Sequence, residues 1–222
     1  LTKEEIFDWI YKSIDKYGLS LVSKNGYDFY NCESSKGLGE YNKAGYNKLR
    51  GDFNKKASKD NEYYLMLYLL IVYSFNNQLR FNRKGEFNLP VGKRDFNSKM
   101  QGKLEAFIDR VKSGDYRFTT DDFRNVSMEG YTDKSFFYAD PPYLITCATY
   151  NEQAGWTEND EKDLLNYLEE LDKKGIRFAL SNVLESKGKK NAILSEWINQ
   201  NKKFKAIPLN YDYTNSNYHT KK

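Results

Sequence analysis

Residues 3–17 set Ile6, Ile10 and Ile14 one helical turn apart among charged neighbours, and Gly18 ends the run. The spacing predicts an amphipathic helix. Residues 19–45 are polar, carry glycine and serine, and show weak periodicity. Gly37-Leu38-Gly39 lies there without the preceding strand that a dinucleotide-binding loop requires, so the stretch reads as a structural loop region. Two helices follow, over 41–56 and 61–75. The second distributes Tyr64, Leu65, Leu67, Tyr68, Leu69, Ile71 and Val72 around its circumference, the pattern of a helix buried on most sides.

The period then changes. Arg80-Phe81-Asn82 and Glu86-Phe87-Asn88-Leu89 flank Arg83-Lys84-Gly85, where the glycine suits the positive φ of a tight turn, so a projecting β-hairpin is expected over 77–94. Residues 99–112 carry Leu104, Phe107, Ile108 and Val111 at helical spacing. Residues 116–119 and 136–139 read as short strands. Thr157-Glu158-Asn159-Asp160 has the form of a capping box, Leu164, Leu165, Leu168 and Leu171 make one face behind it, and Gly175 closes that helix. A buried strand is expected over 176–180, a helix over 190–199 and a further strand over 204–209. Strand and helix thus alternate through the second half, which argues for a parallel sheet of the doubly wound type.

Composition narrows the class. A chain of 222 residues can bury one sizeable core and suits one α/β domain with a smaller inserted subdomain. The formal charge is only +4, so a nucleic-acid surface has to come from local clustering. Cys32, Cys147 and the single His219 supply neither a zinc site nor a disulfide framework, which points to a reducing cytosolic setting and to chemistry without a metal. The most apolar stretch, 63–75, is too short and too aromatic to span a bilayer. Leu1 is not a natural start and no signal-peptide pattern follows it, so the sequence reads as a piece of a longer protein.

The candidate chemistry sits after the apolar run Phe136-Phe137-Tyr138-Ala139. Asp140-Pro141-Pro142-Tyr143 halts that strand, and the carboxyl end of a strand is where α/β folds place chemistry. An exocyclic amino group on a base is a poor nucleophile because its lone pair is delocalised into the ring. The Asp140 carboxylate and the Pro141 carbonyl can each accept one of its N–H groups, held rigid by the fixed φ of the prolines, which frees the lone pair to attack an electrophilic methyl. Tyr143 would stack on a base rotated out of the duplex. Two prolines also end strands without any chemistry, and Asp140 alone would read as a turn cap. The tetrapeptide arises by chance in a chain of this length on the order of once in a thousand. By itself the motif leaves the substrate open to any amino-bearing base.

The hairpin bears on that choice. Its arginines suit guanine O6 and N7 in the major groove, and Arg83, Lys84 and Lys93 suit phosphates. A basic hairpin tip without the downstream motif would read as a solvated turn.

Taken with Asn77-Gln78-Leu79-Arg80-Phe81-Asn82 and the run from Gly85 to Arg94, the Asp-Pro-Pro-Tyr motif resembles the Dam-type, D12-class DNA adenine-N6 methyltransferases, most closely the phage Dam branch. Counterparts extend through Leu144-Ile145-Thr146 to Tyr150-Asn151, residues 156–171 and Ser181-Asn182-Val183-Leu184-Glu185, so the resemblance covers about Tyr46 to Leu209. It implies a Rossmann-like methyltransferase sheet with an inserted helical and β-hairpin DNA-recognition region. The activity implied is transfer of the S-adenosylmethionine methyl group to adenine N6 in double-stranded DNA, at GATC, by base flipping. Residue by residue, Asp140, Pro141, Pro142 and Tyr143 match the catalytic motif. Asp122, Phe123, Asp140 and Tyr150 match cofactor-side positions, although Phe123 reads equally well as a buried strand-end aromatic. Asn77 and Gln78 match residues inserted beside the flipped base, and Arg80, Pro90 and Arg94 match base-reading positions.

The resemblance divides the chain into a mainly helical recognition region, 1–113, and a catalytic α/β core, 114–222. The family's aromatic and basic opening segment, its Phe-x-Gly-Gly-Gly-like turn and its terminal strand find no counterpart, so both ends are expected to be cut. The implied setting is the cytoplasm of a bacterial or phage-infected cell, as a monomer or weak dimer, with a restriction endonuclease of the same system as a compatible partner. An RNA base N-methyltransferase is the alternative enzyme, and a non-catalytic DNA-binding remnant without the cofactor loop is the alternative from another class.

Overall fold

The computed structural model describes residues 1–33, 35–146 and 155–209. The chain divides into two compact units, Leu1–Thr119 and Thr120–Lys222.

In the first unit, α1 (Lys3–Tyr17) starts at a capping box in which Thr2 Oγ1 accepts from the Glu5 N–H at 3.1 Å and the Glu5 carboxylate accepts from the Thr2 N–H at 2.7 Å. Gly18, left-handed at φ 61°, ends it as the sequence predicts. The stretch expected to be loop contains a one-turn helix, α2 (Val22–Asn25), and a 3₁₀ turn, Asp28–Tyr30. Next come α3 (Gly39–Lys55) and α4 (Asn61–Tyr73), the latter buried along Met66, Leu69, Leu70, Val72 and Tyr73. Its Tyr64 is exposed, so one side of the helix meets water. Gly45 lets α3 cross α1 closely: a Cβ there would lie 2.0 Å from the Tyr17 carbonyl oxygen. Ile10, Ile14, Tyr46, Leu49, Phe53 and Leu70 lie in the core that results, joined from the hairpin by Phe87 and Leu89.

The last helix of this unit, α5 (Ser98–Ser113), begins at Asn97, whose side chain accepts from the Lys99 and Met100 N–H groups. Its expected apolar face is only partly covered, with Ile108 buried and Phe107 60% exposed. Lys3 pairs α1 with Glu105 and Asp109 of α5, and Met100 and Leu104 of α5 pack on the core that Ile10 and Ile14 belong to.

The second unit is built on β1 (Phe136–Ala139), α6 (Glu158–Lys173) and β2 (Arg177–Leu180). The strands pair in parallel, with Phe136 opposite Arg177 and Ala139 opposite Leu180. Parallel strands cannot be joined by a tight turn, and α6 lies in the crossover. Thr157 and Asp160 form the expected capping box, and Leu164, Leu165, Leu168 and Leu171 are buried. A small antiparallel pair, β3 (Glu185–Ser186) and β4 (Lys189–Lys190), precedes α7 (Ala192–Gln200). α7 docks on α6 through Trp197, whose indole N–H donates to Glu169 at 2.7 Å.

Four expectations need correction. β2 is a strand but is not buried as expected: Ile176 just before it is buried, whereas Arg177 is exposed and Phe178, Ala179 and Leu180 are half-buried. Residues 116–119 and 204–209 form no strand among the described residues: neither segment has a ladder partner, and Phe118 and Leu209 are left exposed. β1 is a strand but is not buried as a whole, since Phe137 and Ala139 face the core while Phe136 and Tyr138 are more than 60% exposed. Period-2 alternation allows a strand to bury both faces only where a layer covers each. Among the described residues no helix is long and apolar enough to cross a membrane.

Candidate functional site

β1 delivers Asp140 at its carboxyl end, and the ladder continues one step further, with the Ser181 N–H donating to the Ala139 carbonyl at 2.9 Å. This step brings Ser181, which the sequence reading did not single out as a site residue, beside the motif. The Tyr143 hydroxyl donates to Asp140 Oδ1 at 3.3 Å and lies 3.2 Å from Ser181 Oγ. With the phenol proton on Asp140, the serine supplies the other one. Asp140 is exposed and Tyr143 half-buried, so the carboxylate is open to a substrate while the ring is held from behind. The Thr146 N–H closes the turn on the Tyr143 carbonyl at 3.1 Å.

Of the residues that the resemblance assigns to the cofactor side, Asp140 lies at the end of β1, while Asp122 and Phe123 sit apart from the strand ends. Phe123 lies in a 3₁₀ turn, Phe123–Asn125, half-buried against Trp156 and Tyr167 with ring centroids 5.9 and 6.1 Å away. The Arg124 guanidinium covers it at 4.5 Å. Asp122 caps that turn by accepting from the Arg124 N–H, and it pairs with the Arg124 side chain at 3.1 Å. Arg124 also reaches Asp160 at 2.5 Å and Asp163 at 2.8 Å, and these carboxylates raise its already high pKa. Asp160 is drawn down to about 2, first by its bonds from Thr157 and then by Arg124. Tyr150 lies outside the described residues. Among the described residues no group of three or more His, Cys, Asp or Glu side chains is placed to hold a metal.

In the first unit, residues 74–91 form an irregular hairpin. Antiparallel bridges join Ser74 to Val91 and Phe81 to Phe87, and Gly85 takes the expected positive φ, 76°. Between the bridges the stretch 76–79 stands opposite Leu89 alone, because the chain loops out through a 3₁₀ turn with Asn76 and Asn77 both left-handed. The Asn77 amide stays with α4, donating to the Val72 carbonyl at 2.8 Å. Arg80 is turned along its own hairpin, bonding Asn88 Oδ1 at 2.8 Å and the Asn88 carbonyl at 3.1 Å. Gln78 is half-buried, while Arg83, Lys84, Pro90, Lys93 and Arg94 are exposed. The Gly37-Leu38-Gly39 segment braces the base of the hairpin: the Leu38 N–H donates to the Lys93 carbonyl at 3.0 Å, and Gly37 leaves no room for a Cβ beside Lys93.

One arm of the hairpin is sealed by α3. Asn54 acts like a neighbouring strand, accepting from the Phe87 N–H at 2.9 Å and donating to the Phe87 carbonyl at 3.1 Å. Two turns and one turn earlier on the same helix face, Tyr46 and Arg50 donate to the Leu89 carbonyl at 3.1 and 2.8 Å. Burial pushes the Tyr46 phenol pKa well up, so it remains a donor at neutral pH. An i, i+4, i+8 row of donors is visible in sequence, but its target is not.

These placements can be set beside related proteins. The family model of the D12 class N6 adenine-specific DNA methyltransferases matches residues 3–218. The chain belongs to that family. It is 34% identical to the type II methyltransferase M.FokI of Planomicrobium okeanokoites over 98% of its own length and 30% of that protein. It is 30% identical to the DNA adenine methylase of Escherichia coli K12 over 57% of its length and 44% of that enzyme. With the DNA N-6-adenine-methyltransferase of Escherichia phage P1 it shares 27% identity over 64% of its length and 19% of that protein. The chain thus spans under half of each relative, and under a third of M.FokI. As a D12-family methyltransferase chain it calls for a methyl donor. The Asp140 carboxylate is exposed, whereas Asp122 and the Phe123 ring are engaged by Arg124.

Proposed function

We propose that this chain forms the catalytic end and the target-binding part of an enzyme that methylates adenine N6 in double-stranded DNA, with S-adenosylmethionine as donor. The observation that carries this reading is the exposed Asp140 carboxylate at the end of β1, bonded to the Tyr143 hydroxyl. Bound, the donor supplies an electrophilic methyl. Asp140 and the Pro141 carbonyl accept the two amino hydrogens, orienting the nitrogen lone pair, and Tyr143 stacks on the adenine once it has left the duplex. Asp122 and Phe123 lie on the donor's nucleoside side, which requires Arg124 to leave the Phe123 ring. β1 and β2 belong to a wider Rossmann-like sheet, a reading supported by the uncovered side chains of Phe136 and Tyr138.

The helical unit with its hairpin is the recognition region. Exposed Arg83, Lys84 and Lys93 meet phosphates, Arg94 and Pro90 face base edges, and Asn77 and Gln78 enter beside the flipped base. Arg80 reads guanine only on leaving Asn88. GATC is the first target to assay, on the strength of the hairpin's resemblance to Dam-type enzymes. Work beside a restriction endonuclease is favoured by relatives named as type II methyltransferases.

Asp140→Ala tests the reading. Tritium transfer to a GATC duplex is expected to vanish while duplex binding stays within about threefold, since the substitution removes an acceptor and no phosphate contact. Undiminished transfer would reject the role of Asp140.

A further inference from the structure

Glu161 is fully buried on the first turn of α6, in line with Leu164, Leu165 and Leu168. Its Oε2 accepts from the Trp156 indole N–H at 2.6 Å. Its Oε1 accepts from the side-chain amides of Asn182 at 2.9 Å and Asn191 at 2.8 Å. One carboxylate therefore joins the residues entering α6, the segment leaving β2 and the cap of α7, where Asn191 Oδ1 accepts from the Leu194 N–H at 3.0 Å. A leucine would continue the apolar stripe without the desolvation cost of a carboxylate. What the carboxylate adds is a fixed position for its donors.

Asn182 follows Ser181, and Ser181 touches the Tyr143 hydroxyl that donates to Asp140. We propose that Glu161 is a positioning residue for the methyl-transfer site: it anchors Asn182, Asn182 places the Ser181 hydroxyl, and Ser181 sets the Tyr143 phenol against Asp140. The catalytic consequence rests on the function proposed above. The geometric relay does not.

Glu161→Gln separates the two. No orientation of a glutamine satisfies all three donors, because its amide N–H₂ must face either the indole or the two asparagines. In the intact enzyme this variant is expected to lower kcat about 10- to 100-fold with little change in KM for DNA. Adding Trp156→Phe removes the conflicting indole donor and is expected to restore most of the loss. Ser181→Ala combined with Glu161→Gln is expected to lose no more than the worse single variant, since both act through one relay. A folded Glu161→Gln enzyme with unchanged kcat, or losses that multiply, would overturn the proposal.

A readout independent of activity is 3-fluorotyrosine at position 143. Its ¹⁹F resonance is expected to move in Glu161→Gln and to return in the Trp156→Phe double variant. An unmoved resonance sinks the relay whatever the activity. A moved resonance in a protein that methylates no adenine supports the relay and rejects the methyl-transfer reading. Asn182→Ala, which leaves Glu161 with its other donors, is expected to reproduce both the kcat loss and the ¹⁹F shift, and decides the matter should Glu161→Gln fail to fold.

Discussion

Tyr143 donates to Asp140 across 3.3 Å and meets Ser181 at 3.2 Å, so the ring and the carboxylate of the motif are held as one group. Tyr143→Phe keeps the ring and loses both hydroxyl contacts. Single-turnover methylation is expected to slow about tenfold, the worth of one hydrogen bond to a charged acceptor. On the proposed stacking role, Tyr143→Ala is expected to weaken hold on an extruded base by a further 1–3 kcal/mol or so, read from 2-aminopurine fluorescence at the target position.

Asn54 supplies both halves of a strand neighbour to Phe87, which is buried. Asn54→Ala leaves that N–H and carbonyl unpaired, and urea unfolding is expected to show a loss of about 1–3 kcal/mol. DNA affinity should fall with it, while kcat at saturating DNA holds. An unchanged urea midpoint would show that the hairpin arm does not depend on α3.

Gly45 sits where any side chain would enter the Tyr17 carbonyl. Gly45→Ala is expected to cost about 1–3 kcal/mol through forced separation of α1 and α3, against no loss for Gly51→Ala on the same helix, where a Cβ meets open space. Thermal melts of the pair give the comparison directly.

Asp160 is expected to contribute to the acid response of the second unit. Its pKa falls from an ordinary 3.8 to about 2 in the folded state, so the folded form binds fewer protons than the unfolded form between those values. The stabilisation is complete above pH 3.8 and is lost as the pH drops towards 2. Asp160→Asn is expected to flatten that part of the stability profile, measured by circular dichroism against pH. A profile with the same slope would assign the acid response elsewhere.

Much of the fold was open to a reader of the chain. Periodic leucines and a capping box placed α6, and three isoleucines with a stop glycine placed α1, because these signals depend only on local spacing. The strands expected at 116–119 and 204–209 failed for the complementary reason: a strand exists only with a partner, and short aromatic or apolar runs do not say whether one is near. Glu161 left a trace, a carboxylate in register with an apolar stripe, but its donors Trp156, Asn182 and Asn191 are brought to it only by the fold.

The sequence by itself determined which groups stand at the end of β1. Asp140-Pro141-Pro142-Tyr143 after an apolar run supplies a carboxylate, a rigidly held backbone carbonyl and an aromatic ring through residue type and the fixed φ of proline, and the hairpin's basic residues give its exposed charge. Tertiary structure alone decided which of those groups are available. It turned Arg80 onto Asn88, set Arg124 over Phe123, bound Asn54 to the hairpin edge and brought Ser181 to Tyr143. Asn54 and Phe87, like Ser181 and Tyr143, are far apart along the chain, and even between neighbours such as Phe123 and Arg124 the direction a side chain takes is not encoded in local spacing.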